Sequence, residues 1–405
     1  MNEKKKHRVS RWAFRLLKVM IVVALLGDFI ANERPIICKI DGAVYFPVLK
    51  QYAVDLGWSE WDARFVSKKW KNQDYDWVVF PPIPYSNNTL DIANGGFKSP
   101  FDEQEVSSLH FRHWLGTDNL GRDVFAGMVS GTRTALLVGI LAMGVAAIIG
   151  ILMGLLAGYY GNTEFRTTVL RLVFILLGGV FGVFYGFTSR AYAFEKGGLF
   201  VNIGIGLLVF GGIVFLFRLL AILVERVRIF RKEITLPIDA IVLRIIEVLN
   251  SIPALLLILS LVALFRKPSL FNIMIIIGLI SWTGIARFVR AELMKIRQME
   301  YIEAARALGF SEWRIMWKHA LPNALGPVMI ALAFGIAGAI LVEALLSFIG
   351  VGLPPDMVTW GTMLNSTREA TYAWWLAIFP GGAIFITVTL FNLLGEHLEK
   401  AGDSV

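Results

Sequence analysis

No charged side chain stands between Thr134 and Ala157, and a bilayer-crossing helix takes about 20 residues. That stretch closes off most folds. Inside hydrocarbon a backbone N–H or C=O finds no water, so such a run satisfies itself by folding as a helix. Comparable runs stand at residues 16–31, 169–187, 199–223, 249–265, 271–288, 325–348 and 372–394, about eight spans in all. Of 405 residues, 56% are hydrophobic and 17% are charged, against roughly 25% charged in soluble domains. The expectation is an all-α polytopic membrane protein.

The net charge of +8 lies largely beside these runs, which is what membrane orientation requires and is no signal for nucleic acid. Lys4, Lys5, Lys6, Arg8, Arg11, Arg15 and Lys18 precede the first run; Arg166 and Arg171 follow the second. The cluster at residues 225–233 and Arg287, Arg290, Lys295 and Arg297 mark further cytoplasmic segments. Residues 1–31 read as a basic cytoplasmic N-terminus and an uncleaved first span, since Asn32-Glu33-Arg34-Pro35 makes a poor cleavage site. Residues 32–119 are aromatic, charged and proline-rich, and read as a small extracytoplasmic domain; its tryptophans are expected in a packed core, with a ligand surface as the alternative. Asp118 and Asp123 flank a glycine turn, where capping is expected rather than metal binding, and Asp123 is expected to start a surface helix running to Arg133 ahead of the second span. Residues 120–162 take in that helix and span, in which Gly150 and Gly154 form a small-xxx-small pair that permits close packing.

A polar island interrupts the membrane pattern near the C-terminal third. Residues 298–308 read as a helix, with Tyr301, Ile302, Ala305 and Leu308 on one face. Gly309 stands where a left-handed cap is wanted, and Ser311 is a good cap for a second helix to Leu321, which Pro322 would end. Two short helices with a glycine elbow make a rigid protrusion, and the small alanines would let a partner approach. An ordinary alanine-rich helix pair would show the same local pattern. Other motifs separate the two.

Glu303-Ala304-Ala305, three residues, Gly309 and then Leu321-Pro322 resemble the cytoplasmic loop of permease subunits of bacterial ABC importers. The general pattern has an apolar residue where His319 stands here, and His319 followed by Leu321-Pro322-Asn323 resembles the peptide and nickel branch. His113-Trp114-Leu115-Gly116-Thr117-Asp118-Asn119-Leu120-Gly121-Arg122-Asp123, Asn250-Ser251-Ile252-Pro253, residues 343–352 and the loop from Leu353 through Trp360 to Leu364 are similar to the same family. Residues 29–35 and 41–47 look like the branch that takes up short peptides and peptide-like antibiotics such as microcin C. Residues 163–235 depart from the family pattern and read as an inserted pair of spans; being even in number, it preserves sidedness downstream. Residues 236–394 are then the permease core with a coupling loop at 290–325, and 395–405 a cytoplasmic tail.

The resemblance implies a six-span importer core, both termini in the cytoplasm, and alternating access driven by two separate ATP-binding subunits. It implies a second homologous permease, an extracytoplasmic substrate-binding protein and a peptide substrate. The docking residues it implies are Glu303, Ala304, Ala305, Gly309, Leu321 and Pro322. No phosphate-binding loop, HExxH spacing or GxSxG elbow occurs, so no catalytic residue, metal or cofactor is expected, and Cys38 alone makes neither an intramolecular disulfide nor a metal site. Two other functions remain open on the residues alone. One is a secondary transporter carrying protons on Glu343, Asp239 or Glu247. The other is an anchored scaffold, for which so many glycine-laced spans are excessive.

Overall fold

The computed structural model describes residues 3–62, 65, 70–162, 166–190, 192–193, 199–225, 233–265, 269–354 and 356–402. Two compact units form, Met1–Gly154 with Val248–Val405, and Leu155–Glu247. Among the described residues six helices are long and apolar enough to cross a membrane, or seven if one broken pair counts as a span.

The first unit opens with helix α1 (Glu3–Leu25) and a single turn, α2 (Gly27–Ile30). A small antiparallel sheet follows, in the order β2 (Ala43–Tyr45), β1 (Ile37–Ile40), β3 (Trp77–Val79), with Cys38 opposite Tyr45 on one side and Val78 on the other. Asp41 and Gly42 join β1 to β2 with positive φ at both, the two-residue hairpin that suits strand twist. Helix α3 (Pro47–Asp55) carries proline in its first turn, where the missing N–H costs nothing. Cys38, Ile40, Phe65 and Trp70 are buried together against Trp61 and Tyr75. The tryptophan-rich segment thus has a packed core, and it adds strands to a chain expected to be wholly helical.

Helix α4 (Val124–Leu155) continues through a π-helical turn to Tyr160. The separate surface helix expected up to Arg133 does not form. Its residues are instead the first turns of α4, because they have a partner: a side chain at Gly131 would lie 2.3 Å from Trp360, whose indole N–H donates to the Met128 carbonyl.

In the second unit α5 (Val169–Gly186) and α6 (Leu199–Val224) run antiparallel, touching where Gly178 meets Phe217, Gly182 meets Phe210 and Gly186 meets Gly206. Strands β4 (Arg166–Thr168) and β5 (Glu233–Thr235) pair at their base, Arg166 opposite Thr235. The Glu225 carboxylate accepts from the Thr168 hydroxyl and from Arg171 at 2.5 Å. Beyond the ladder, Asp239 N–H donates to the Gly161 carbonyl and Ala240 N–H to the Asn162 side chain. The basic residues at 226–232 lie outside the described residues.

The helix expected from Leu236 to Phe265 is two, α7 (Ile238–Asn250) and α8 (Ala254–Ala263). Pro253, at the N-cap of α8, cannot donate to continue the ladder, and the Ser251 hydroxyl bonds back to the Val248 carbonyl.

Helix α9 (Leu270–Ile296) packs against α4 through glycines on both sides. Gly278 faces Ala142 and Val145, Gly150 faces Ile285, and Gly154 faces Ala286 and Val289. The paired positions rise together, so α4 and α9 run parallel. After them come α10 (Glu300–Ala307), α11 (Glu312–Ile315), α12 (Leu321–Ile349), α13 (Trp360–Ser366) and α14 (Trp375–Gly402). Gly139 faces Ile336 and Gly335 faces Met143, so α12 returns antiparallel to α4. Phe14 meets His397 edge-on at 5.5 Å, and the Thr387 hydroxyl reaches Met20. Helices α1 and α14 are therefore antiparallel, and Glu3 and Gly402 lie at the same end.

A side chain at Gly154 would stand 2.6 Å from both the Ala286 carbonyl and the Val289 Cβ, whereas one at Gly144 meets nothing within 4 Å. Gly154→Val is expected to destabilise the protein by about 1–3 kcal/mol and Gly144→Ala to leave it unchanged, read as thermal unfolding in detergent.

Candidate functional site

The elbow between α9 and α12 is built by local rules. Glu300 and Glu303 sit in the first turn of α10, where carboxylates complement the helix dipole. At its C-terminus Gly309 takes φ +78°, Gly309 N–H donates to the Arg306 carbonyl and Phe310 N–H to that of Ala305. This is the double hydrogen bond of a Schellman cap, which a left-handed residue completes. The Ser311 hydroxyl then accepts from Arg314 N–H and starts α11. Across the bend the Arg306 guanidinium pairs with Glu312, Nε to Oε1 at 3.1 Å. The Phe310 ring stacks on His319 at 5.9 Å and 14°, and the Arg314 guanidinium lies over the same ring at 5.4 Å from the centroid. His319, the departure from the general motif, thus packs on an aromatic ring as an apolar residue would.

Pro322 does not end the second helix. From Glu312 the chain stays helical to Ile349, through a π-helical turn at Met316–Ala320. Widening the turn just ahead of Pro322 relieves the clash its ring makes in a regular helix, and the Asn323 amide donates to the His319 carbonyl at 2.7 Å. The same amide reaches the Tyr301 hydroxyl at 3.2 Å, tying α10 to the base of α12.

The six residues singled out from the sequence divide by burial. Glu303, Ala304, Gly309 and Pro322 are exposed; Ala305 and Leu321 are buried with Ile302, Ile315 and Met316. Of the face read from Tyr301, Ile302, Ala305 and Leu308, Ile302 and Ala305 are buried while Tyr301 and Leu308 are exposed, as is Trp313. The only sign of the Arg306–Glu312 pair in the sequence is opposite charges on either side of a glycine.

At the other end of α4, the turn at 113–123 is held by its own side chains. His113 is fully buried, its Nδ1 2.8 Å from Asp123 and its Nε2 3.3 Å from Asp91. Asp123 also caps α4 by accepting from Ala126 N–H. Asp118 accepts from Leu120 and Arg122 N–H and pairs with the Arg122 guanidinium at 2.6 Å. Gly121 has φ +77° and passes so near the Asp91 carbonyl that no side chain fits. Burial raises the Asp91 carboxyl, but bonds from Asn94 and His113 outweigh it and hold it below its ordinary range. Its contribution is therefore present above the unfolded value near 3.8 and lost as pH falls through the lower folded one. The aspartates are caps and ion-pair partners, and no metal-ligand cluster occurs among the described residues.

The three carboxylates of a proton-carrier reading have other duties or surroundings. Glu343 is buried, accepts from the Ser347 hydroxyl at 2.6 Å, and bonds to Thr359, the N-cap of α13. Gly361 of α13 sits directly on the Ala344 backbone beneath it. Glu247 is exposed and paired with Arg244. Asp239 is buried in the first turn of α7. Glu343 therefore reads as a brace that seats α13 on α12.

The model of the family described as binding-protein-dependent transport system inner membrane component matches residues 235–401, from the end of β5 through α14. The glutathione transport system permease protein GsiD of Pectobacterium atrosepticum is 31% identical over 292 residues, 72% of this chain and 72% of that one. The chain belongs to this family of ABC-importer permeases. The peptidoglycan transport system permease protein YejE of Agrobacterium fabrum is 27% identical over 98% of this chain and 90% of its own length. The dipeptide transport system permease protein DppC of Alkalihalophilus pseudofirmus is 30% identical over 72% of this chain and 71% of its own. The permease is thus a multi-pass inner-membrane protein, a translocation subunit without catalysis of its own, working with ATPase and substrate-binding subunits.

A β-branched residue at Gly309 would be forced left-handed, which costs about 1–2 kcal/mol. Gly309→Val is expected to open the elbow to protease between residues 299 and 311, whereas Gly309→Asn is expected to keep it closed, read by limited proteolysis.

Proposed function

We propose that this permease imports peptides or peptide-like compounds, and that its elbow seats in a cleft of one ATPase subunit. The observation that carries the reading is the elbow itself. It exposes Glu303, Ala304, Leu308 and Trp313 on a frame closed by a glycine cap and an ion pair, and it is covalently continuous with the span helices α9 and α12. Glu303 supplies a charged contact and Ala304 lets the partner approach the backbone. Ala305 and Leu321 support them from beneath, Gly309 shapes the bend, and Pro322 stands at the base of α12. When the ATPases close on ATP, the elbow moves as a body and tilts its spans between inward-open and outward-open states. The peptide substrate rests on the relatives named for glutathione, dipeptide and peptidoglycan transport.

We infer the sidedness from helix directions and basic residues together. The elbow lies at the end of α9 beside Arg287, Lys295 and Arg297, so that end is cytoplasmic. Both termini belong there, and residues 32–119, at the opposite end of α4, form an extracytoplasmic domain. Counting α1 and the broken pair α7–α8 with the six long helices brings the spans to eight. An open apolar groove of about 720 Å³ runs between α4, α9 and α12, lined by Met143, Phe288, Phe334 and Gly338. We assign it to the second permease of a complex with two ATPases. Residues 163–235 are an inserted pair, closed at its base by the β4–β5 ladder.

Two experiments test these assignments. Purification of tagged protein from its native membrane in mild detergent is expected to bring ATP-binding subunits and a second permease. Ala304→Arg is expected to lose the ATPases by at least tenfold, a loss of about 1.4 kcal/mol or more, while still inserting; full retention would overturn the docking assignment. Ala305→Glu does not serve here, because a buried charge disrupts the elbow itself. Replacing residues 163–235 by a short glycine-serine linker is expected to keep insertion and ATPase co-purification, and loss of both would make the pair part of the core.

A further inference from the structure

A cavity of about 380 Å³ lies at the end of α4 remote from the elbow, between α2, α3, the loop at residues 86–88 and the first turns of α4. Its size falls in the range of small-molecule sites, about 300–1,000 Å³. Its wall carries four charged side chains, Asp28, Arg34, Asp55 and Arg133. Two of them satisfy each other. The Arg133 guanidinium donates to Asp28 at 2.8 Å and to the Ala24 carbonyl at 2.9 Å, and the Tyr52 hydroxyl donates to the same Asp28 carboxylate.

The other two keep capacity to spare. Arg34 has no carboxylate partner among the described residues, and its buried Nε makes no hydrogen bond. The guanidinium rests instead over the Trp61 ring, 5.6 Å from its centroid. Asp55 is exposed and, among the described residues, accepts one side-chain bond, on Oδ1 from Gln51 at 2.6 Å, which leaves its second oxygen open. Their supports are fixed: the Trp61 indole donates to Gln51 at 2.8 Å, and Arg34 N–H to the Asn32 side chain at 3.0 Å. Arg34 is half-buried and lines the cavity, so a carboxylate entering there can take the charge-assisted bond that no carboxylate of the fold supplies. One spare cation and one spare anion on one small wall select a ligand carrying both charges. Ser86, Asn87 and Asn88 add polar groups to the rim, and Val48 and Val129 give the wall a small apolar part.

We propose that this cavity binds a small zwitterion of the amino-acid or short-peptide class, its carboxylate on Arg34 and its ammonium on Asp55. The choice of peptides among such zwitterions rests on the peptide-permease reading; the charge complementarity does not. Such a site would hold a peptide at the extracytoplasmic mouth of the permease.

The test uses the full-length permease in detergent with its co-purifying membrane subunits, free of soluble binding protein. L-alanyl-L-alanine is titrated and binding followed by tryptophan fluorescence and calorimetry. Saturable binding is expected, and blocking either charge, as N-acetyl-alanyl-alanine or alanyl-alanine amide, should weaken it roughly tenfold or more, as loss of a charged hydrogen bond does. Arg34→Gln should abolish discrimination against the amide alone, and Asp55→Asn discrimination against the acetylated form alone. Each variant is thus judged by its own ratio of affinities rather than by its folding. Equal binding of blocked and free dipeptide, no saturable binding, or a response only to phosphatidylethanolamine in nanodiscs would overturn the proposal. Failure of this site leaves ATPase co-purification untouched, and failure of the docking assignment leaves dipeptide binding untouched.

Discussion

Close approach between α4 and α9 is the constraint on which the rest of the first unit depends. In lipid no hydrophobic drive pulls apolar helices together, so their association rests on dispersion contact and shape. Gly150, Gly154 and Gly278 remove the side chains that would hold the two backbones apart. Parallel packing then fixes which ends coincide. The small sheet and the His113 turn go to one end, and the elbow, which continues α9, to the other.

The elbow gains its stiffness from different physics. Its hydrogen bonds, ion pair and ring stack lie in a polar setting, where each alone contributes little. Their collective effect is geometric. The Schellman cap sets the direction in which the chain leaves α10, the Arg306–Glu312 pair closes the bend, and the Tyr301–Asn323 bond returns it to α12. A load placed on Glu303 or Ala304 therefore reaches two spans together.

What could be read from the sequence follows the range of the interactions involved. Gly309 and Ser311 declared their caps, because capping is decided within four residues. The glycines of α4 declared a packing face but not its partner. Long-range matters were hidden: the surface helix expected before Arg133 became part of α4 because Trp360, remote in sequence, fills the space against Gly131. Pro322 was misleading as a stop, since a π turn accommodates it. The hairpin of β1 and β2 carries a turn signal in Asp41-Gly42, but its strands are too short for the alternation that would mark them in the sequence. At the candidate site, helical spacing put Ala305 rather than Ala304 on the face of Ile302, but did not show that Ile302 and Ala305 are buried while Tyr301 and Leu308 on the same face are exposed. Tertiary contacts decide which part of that face turns inward.

The π-helical turn at Met316–Ala320 has a consequence for how the elbow is aimed. A π turn holds one residue more than an α turn, and a residue accounts for about 100° of helical rotation. The extra residue therefore sets the angular phase between everything before it and the span that follows. Contacts within the elbow and within α12 are each indifferent to that phase; only the heading of one relative to the other depends on it. Related chains that lack or shift this residue would present the same elbow chemistry on a different bearing, so matching between a permease and its ATPase can be a matter of azimuth as much as of side chains.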